Sequence, residues 1–94
     1  MWVETEDGNL VNLDQAFDVL VDQHFEPGKQ VLAYSPAIAT YEGDDRYAWT
    51  TLCSCDDWDH GKRIIRSLVM HIHLGHKVAS MRLIADETRE GEAS

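Results

Sequence analysis

The sequence predicts a small α+β domain, in which an antiparallel sheet of about four to six strands is covered on one face by a single helix near the C-terminus. Three observations support this prediction. Segments in which apolar and polar residues alternate recur between short turn signals through residues 1–55. Residues 57–73 form the one long segment that places apolar side chains at helical spacing. The chain has 94 residues, 44% of them hydrophobic, which suits one domain with one core.

The N-terminal segment predicts a β-hairpin. Residues 2–5 and 10–13 alternate between apolar and polar side chains, and the Asp7-Gly8 pair between them is typical of a hairpin turn. We therefore expect these two strands to pair with each other. Short connections further along the chain predict that the whole sheet is antiparallel.

Three further segments follow the hairpin. Residues 17–22 alternate as a strand, while a short helix beginning at Asp14 fits the same apolar residues and remains the alternative. Residues 30–41 and 46–55 are predicted as longer strands. Pro36 places the centre of the first at a sheet edge or a bulge, because proline donates no hydrogen bond to a neighbouring strand. One face of the second is predicted to carry Tyr47, Trp49, Thr51, Cys53 and Cys55.

Residues 57–73 form the single predicted helix. Asp57 can cap its N-terminus, and Gly75 is a typical C-terminal stop. At about 100° per residue, the buried face is predicted to hold Trp58, Gly61, Ile65, Leu68, Val69 and Ile72. The exposed side is predicted to hold Lys62, Arg66 and His73.

The C-terminal part predicts a last strand and a tail. Residues 77–84 alternate as a strand, and residues 86–94 are almost entirely polar. We expect a single α+β domain over residues 1–85 and a disordered acidic tail over residues 86–94. The first residues have no signal-peptide pattern, and no apolar run approaches the ~18 residues of a membrane span. A cytoplasmic location is therefore expected.

Charge is distributed very unevenly along the chain. The formal net charge is −9, but residues 60–85 contain five bases and no carboxylate. Residues 1–59 contain 13 carboxylates against two bases. Such a balance disfavours direct binding to nucleic acid or anionic lipid, because both repel carboxylates. It favours either solubility alone or a basic partner.

The residues that could carry catalysis or bind metal are few. Cys53 and Cys55 lie two apart, with His60, His73 and His76 further on, but this spacing fits no recurring zinc pattern. Neighbouring aspartates would also raise the pKa of either thiol, which disfavours a cysteine nucleophile. The chain has no Gly-rich phosphate loop and no nucleophile-elbow motif. We interpret the two cysteines as core residues and predict no enzyme, cofactor or metal, with a zinc site through Cys53 and Cys55 as the alternative.

Two resemblances bear on function. The stretch from Trp2 to Asp14 contains Thr5, Gly8 and Leu10-Val11-Asn12-Leu13-Asp14. It resembles the "T-x-x-G-x-L-V-N-L-D" hairpin of short uncharacterised bacterial, phage and mobile-element proteins, which implies strands followed by one helix. This chain departs from those proteins in its basic, histidine-rich helix. In size, acidity and lack of catalytic motifs it also resembles anti-CRISPR and other anti-defence inhibitors of phages.

These observations lead to a hypothesis of function by binding. The protein is expected to be a non-enzymatic acidic inhibitor from a phage or mobile element, one that occupies the basic nucleic-acid-binding surface of a host complex such as a CRISPR effector. The alternative is a homodimeric structural or regulatory module, in which the basic helix of one copy meets the acidic sheet of another. The predicted partner-binding residues, all at turns, are Glu4, Glu6, Asp7, Asp44 and Asp45.

Overall fold

The computed structural model describes residues 1–16, 18–35 and 48–89 and shows an α+β fold, as the sequence predicts. Two helices and six strands are present in this part of the chain. In order, the elements are β1 (Trp2–Glu4), β2 (Leu10–Asn12), β3 (Asp18–Val21), β4 (Gln30–Ser35), β5 (Ala48–Ser54), α1 (Trp58–His73), β6 (Val78–Ser80) and α2 (Met81–Glu87).

The strands divide into two sheets of three, where the sequence predicted one antiparallel sheet. Their orders are β2-β1-β6 and β3-β4-β5. A 3₁₀ turn at Leu13–Gln15 redirects the chain after the hairpin, so β3 begins a second sheet. The β1–β6 pair is parallel, which corrects the antiparallel prediction. Parallel pairing is possible because α1 provides the long crossover that brings the chain back beside β1.

The segment after the hairpin contains a strand, as favoured from the sequence. The strand occupies residues 18–21. The preceding 3₁₀ turn is capped by Asn12, whose side chain accepts a hydrogen bond of 3.0 Å from the Asp14 backbone. Asp14 is therefore not a helix cap. Pro36, with the predicted strand residues 36–41 and 46–47, lies outside the described residues.

A bulge in β5 changes which side chains share a face. Val31 pairs with Cys53, but Leu32 pairs with Thr51, so Leu52 is the extra residue between them. Leu52 and Cys53 are both fully buried in the core. The predicted single face from Trp49 through Thr51 to Cys53 is therefore wrong, since a strand pattern of period two fails across a bulge.

Aromatic residues stack outside β3-β4-β5. The rings of Phe25 and Trp49 stack with their centroids 4.8 Å apart, and Tyr34 meets Trp49 edge-on at 6.5 Å. Leu32 follows the core-facing Val31 in β4, so its side chain lies on the opposite face of the sheet. It is nevertheless fully buried. This sheet therefore shields apolar side chains on both of its faces.

Helix α1 begins and ends where the sequence predicts, but its buried face is rotated. The Asp57 carboxylate accepts a hydrogen bond of 2.8 Å from the His60 backbone, and Gly75 adopts φ 77° beyond the last turn. The helix packs against β3, β4 and α2. Its buried residues are His60, Gly61, Ile64 and Leu68. Trp58, Val69 and Ile72, predicted as buried, are exposed.

The predicted final strand is mostly a second helix. Only residues 78–80 are a strand, and the Ser80 side chain caps α2 by accepting a hydrogen bond from the Leu83 backbone. Met81, Ile84 and Ala85 are buried at helical spacing, while Leu83 is exposed. Residues 90–94 of the predicted tail lie outside the described residues.

The two sheets and two helices enclose one core. Nearly all of its side chains are apolar. The buried cluster comprises Val3, Leu13, Val21, Val31, Ala33, Leu52, Cys53, Cys55, Ile64, Leu68, Ala79, Met81, Ile84 and Ala85.

The buried Asp22 organises the loop between β3 and β4. Its two carboxylate oxygens accept hydrogen bonds of 2.7–3.1 Å from the Gln30 side chain and from the backbones of His24, Phe25 and Glu26. Burial raises the pKa of Asp22, but these four hydrogen bonds outweigh it and hold that pKa well below its usual range.

We predict that substituting alanine for Gly61 destabilises the fold, although alanine normally favours a helix over glycine by about 1 kcal/mol. A Cβ at this position would lie 2.6 Å from Val21 Cγ2 and 3.2 Å from Cys55 Sγ. The clash should lower the free energy of unfolding by about 1–3 kcal/mol in urea titration. The control is Ser67→Ala in the same helix, and a more stable Gly61→Ala variant would contradict the prediction.

We predict that Asp22 makes stability depend on pH in the acidic range. Because its pKa is lower in the folded state, its contribution is present above the unfolded pKa of about 3.9 and is lost as the pH falls towards the folded pKa. Asp22→Asn should lower Tm at neutral pH. The difference in Tm between this variant and the wild type should become smaller below about pH 4. The control is Asp18→Asn, at an exposed position. A difference in Tm that stays the same at every pH contradicts the prediction.

Candidate functional site

The β1–β2 hairpin is attached to the end of β5 by Glu6. Its carboxylate accepts hydrogen bonds of 2.9 Å from both the backbone and the hydroxyl of Ser54. The Glu6 backbone also donates a hydrogen bond of 2.9 Å to the Leu52 carbonyl. These bonds hold the hairpin turn beside the chain that leads directly into Asp56 and Asp57.

Arg89 joins the β5–α1 loop to the end of α2. Its Nε lies 3.1 Å from Asp56 Oδ2, and its Nη1 lies 2.9 Å from Asp86 Oδ1. Lys29 Nζ donates a hydrogen bond of 2.8 Å to the Asp56 carbonyl. The loop, the hairpin turn and the end of α2 thus meet at one place.

We call this place the acidic end, because contacts bring Glu6, Asp56 and Asp86 there, and four more carboxylates lie within three residues of them in the chain, beside three bases. The bases are Lys29, Arg63 and Arg89, and Arg63 Nε donates a hydrogen bond of 3.0 Å to the Thr88 carbonyl. All seven carboxylate residues are exposed. They are Glu6, Asp7, Asp56, Asp57, Asp59, Asp86 and Glu87.

The structure brings together part of the predicted partner-binding set. Glu6 and Asp7 belong to the acidic end, while Glu4 lies exposed on the outward face of β1, in register with Leu10 and Ser80. The role of Glu6 is partly structural, since it holds Ser54. Asp44 and Asp45 lie outside the described residues.

Sequence reasoning missed the contribution of Asp56, Asp57 and Asp86 to this surface. They are far from the hairpin in the chain, and only the Glu6–Ser54 and Arg89–Asp56 contacts bring them near it. No local pattern encodes those contacts. The available signal was the density of carboxylates at the start of α1, where the helix dipole favours them.

Apart from Arg63 and Arg89, the bases of the C-terminal half that the structure describes form no ion pair with the acidic end. Lys62, Arg66, Lys77 and Arg82 are exposed, and within residues 1–16, 18–35 and 48–89 none of them has a carboxylate within 4.0 Å. His71 in the last turn of α1 and His76 beyond it face each other with their Nδ1 atoms 2.6 Å apart. The four bases are spread over α1, the loop that follows it and α2, whereas His71 and His76 lie together at the C-terminal end of α1.

The two cysteines are placed in the core, as interpreted from the sequence. Burial raises the pKa of Cys53 to about 12, with added repulsion from Cys55 and Glu6. Burial also raises the pKa of Cys55 to about 11, helped by the negative charges of Asp56 and Asp57. Thiols that resist ionisation are poor nucleophiles and poor zinc ligands. Among the described residues no three metal-binding side chains come together.

Comparison with protein-family models, with curated proteins and with solved structures gives no match for this chain. Within the described residues, neither helix has the length and apolar character needed to cross a membrane. The case for a function therefore rests on the geometry and charge of the molecule itself.

We predict that both thiols react slowly in the folded protein. With pKa values of about 12 and about 11, their thiolate fraction at pH 8 is on the order of a hundredfold or more below that of a free cysteine. Ellman's reagent should modify fewer than one thiol per chain in minutes under native conditions and two after denaturation. Rapid native modification of two thiols would contradict this. A variant with a cysteine at an exposed position, Gln23→Cys, serves as the positive control.

Proposed function

We propose that this protein is a non-enzymatic acidic binding protein that occupies the basic nucleic-acid-binding surface of a partner, as an inhibitor from a phage or mobile element would. The observation that carries the proposal is the acidic end, where carboxylates from three parts of the chain outnumber the bases near them. Carboxylates on a rigid surface can take the place of phosphates in a channel lined with Lys and Arg. A CRISPR effector is one complex with such a channel.

Rigidity of the acidic surface supports the proposal. Glu6 is held through Ser54, and Asp56 and Asp86 are held through Arg89. A surface that is ordered before binding loses less conformational entropy when the complex forms. Asp7, exposed in the hairpin turn, and Glu4, exposed on β1, are free to contact a partner beside it.

The net charge of −9 supports the choice of partner. A basic surface attracts a strongly acidic protein over several ångströms, which raises the association rate and makes binding sensitive to salt. Nucleic acid would compete with this protein for the Lys and Arg side chains of that basic surface. The proposal therefore requires three properties together: a basic partner, steep salt dependence and competition by nucleic acid.

The test is affinity capture from lysate followed by competition. The immobilised full chain should retain basic nucleic-acid-binding proteins at about 50 mM NaCl and release them at about 500 mM. A retained protein, once purified, should lose nucleic-acid binding when this protein is added. Failure to retain any basic protein at low salt, or binding that nucleic acid does not displace, would overturn the proposal.

Charge reversal locates the contact surface. Asp7→Lys should weaken capture at least tenfold, because it replaces an attraction with a repulsion at the exposed hairpin turn. Asp18→Lys makes the same charge change at an exposed position on β3 and is the matched control. Equal losses in the two variants would mean that only net charge matters. Asp44→Lys and Asp45→Lys test the remaining two predicted residues in the same assay.

A further inference from the structure

Helix α1 ends in a Schellman motif, in which a glycine in the left-handed conformation closes the last turn. Gly75 has φ 77°, and its backbone N–H donates a hydrogen bond of 3.0 Å to the Ile72 carbonyl. The His76 backbone N–H donates a hydrogen bond of 3.1 Å to the His71 carbonyl. These two bonds define the motif and set the side chain after the glycine against the last turn of the helix. The backbone therefore holds His71 and His76 next to each other.

Both positions that meet across this motif carry an imidazole, where an apolar pair is common. The Nδ1 atoms of His71 and His76 lie 2.6 Å apart, and the ring centroids lie 4.8 Å apart. Within residues 1–16, 18–35 and 48–89, neither ring has another hydrogen-bond partner or a carboxylate within 4.0 Å. His76 is exposed and His71 is half-buried. Two imidazole nitrogens thus point at each other beside the solvent.

We infer that His71 and His76 together bind one divalent transition-metal ion through their Nδ1 atoms. Two nitrogens that each lie ~2.0–2.1 Å from one zinc ion, at a tetrahedral angle, are roughly 3.3 Å apart. The Nδ1 atoms therefore need to separate by less than about 1 Å, and the terminal torsion of histidine is broad enough to allow this. The proton between the two Nδ1 atoms moves through solvent to Nε2 of its own ring, so both rings bind as neutral imidazoles.

The end of the helix favours a cation, and the two ligands determine which kind. The last carbonyl groups of α1 give this end a partial negative charge. Imidazole suits Cu²⁺, Ni²⁺ and Zn²⁺, whereas Mg²⁺ and Ca²⁺ need oxygen ligands that are absent around this pair in the described part of the chain. Among the three suitable ions, Cu²⁺ should bind most tightly. Water completes the coordination.

Neighbouring residues limit the strength of the site. His73 lies about 200° around the helix axis from His71, so it cannot reach the same ion. Lys77 follows His76 in the chain, and its positive charge opposes a dication. Binding should therefore be weaker than at a zinc site with three or four protein ligands. The site is independent of the proposed function, because neither His71 nor His76 belongs to the acidic end.

NMR of the imidazole rings during a ZnCl₂ titration of the full chain tests the site. The ring C–H signals of His71 and His76 should shift together along one saturable curve. His73, exposed in the same turn, is the internal control, and its signals should not follow that curve. MgCl₂ at the same concentrations should shift neither ring of the pair. A shift of only one ring of the pair, an equal shift of His73, or no shift at millimolar zinc overturns the inference.

Calorimetric titration of variants tests whether both rings share one ion. His71→Gln and His76→Gln should each weaken zinc binding by about tenfold or more, because a single imidazole loses the advantage of two linked ligands. His73→Gln is the matched control and should leave the affinity within about twofold of the wild type, since it removes an imidazole outside the pair. Retained affinity in either variant of the pair, or an equal loss in His73→Gln, overturns the shared site. Far-ultraviolet circular dichroism confirms that each variant is folded.

Substitutions at Gly75 test whether the Schellman motif positions the pair. A Cβ at this position would meet no atom within 4 Å, so a substitution acts through the backbone conformation at φ 77°. Gly75→Ala should weaken zinc binding several-fold although both ligands remain. Gly75→Asn should lose less, because asparagine adopts the left-handed conformation more readily. Unchanged affinity in Gly75→Ala would show that the motif does not hold the two rings together.

Discussion

The arrangement of α1, α2 and the β5–α1 loop depends on one buried side chain, His60. Its Nδ1 accepts a hydrogen bond of 2.9 Å from the Asp56 backbone, so the ring proton is on Nε2. Nε2 then donates a hydrogen bond of 2.9 Å to the carbonyl of Ala85 on α2. The imidazole is fully buried, and both of its nitrogens are satisfied, which is what a polar ring in a core requires. One side chain thereby fixes where the acidic loop stands relative to the last helix.

That constraint also explains how the acidic end is assembled. With His60 holding the start of α1 against α2, Arg89 reaches both Asp56 and Asp86, and acids from both ends of the chain gather beside the first turn of α1. The four bases without a carboxylate within 4.0 Å lie on α1 at Lys62 and Arg66, in the following loop at Lys77 and on α2 at Arg82. Carboxylates that are distant in the sequence thereby become neighbours in the molecule.

Local patterns in the sequence predicted those parts of the fold that local chemistry decides. The hairpin at Asp7-Gly8, the Asp57 cap and the Gly75 stop all depend on residues within one turn of each other. The errors arose where distant contacts decide. The extra residue Leu52 shifts β5 by one position, and α1 turns its face towards β3 so that His60 and Ile64, rather than Val69 and Ile72, are buried. Periodicity alone cannot show which of two adjacent helix faces meets the sheet.

The same limit applies to the candidate site. The carboxylates Glu6 and Asp7 could be selected from the sequence because turns expose them, but their neighbours Asp56 and Asp86 could not. Two long-range contacts, Glu6 with Ser54 and Arg89 with Asp56, assemble the surface, and no residue spacing in the sequence predicts them.

The pairing of β1 with β6 has a further consequence for biosynthesis. The first strand finds its parallel neighbour only at residues 78–80, so the newly made chain cannot complete this sheet until more than 70 residues after β1 have been synthesised.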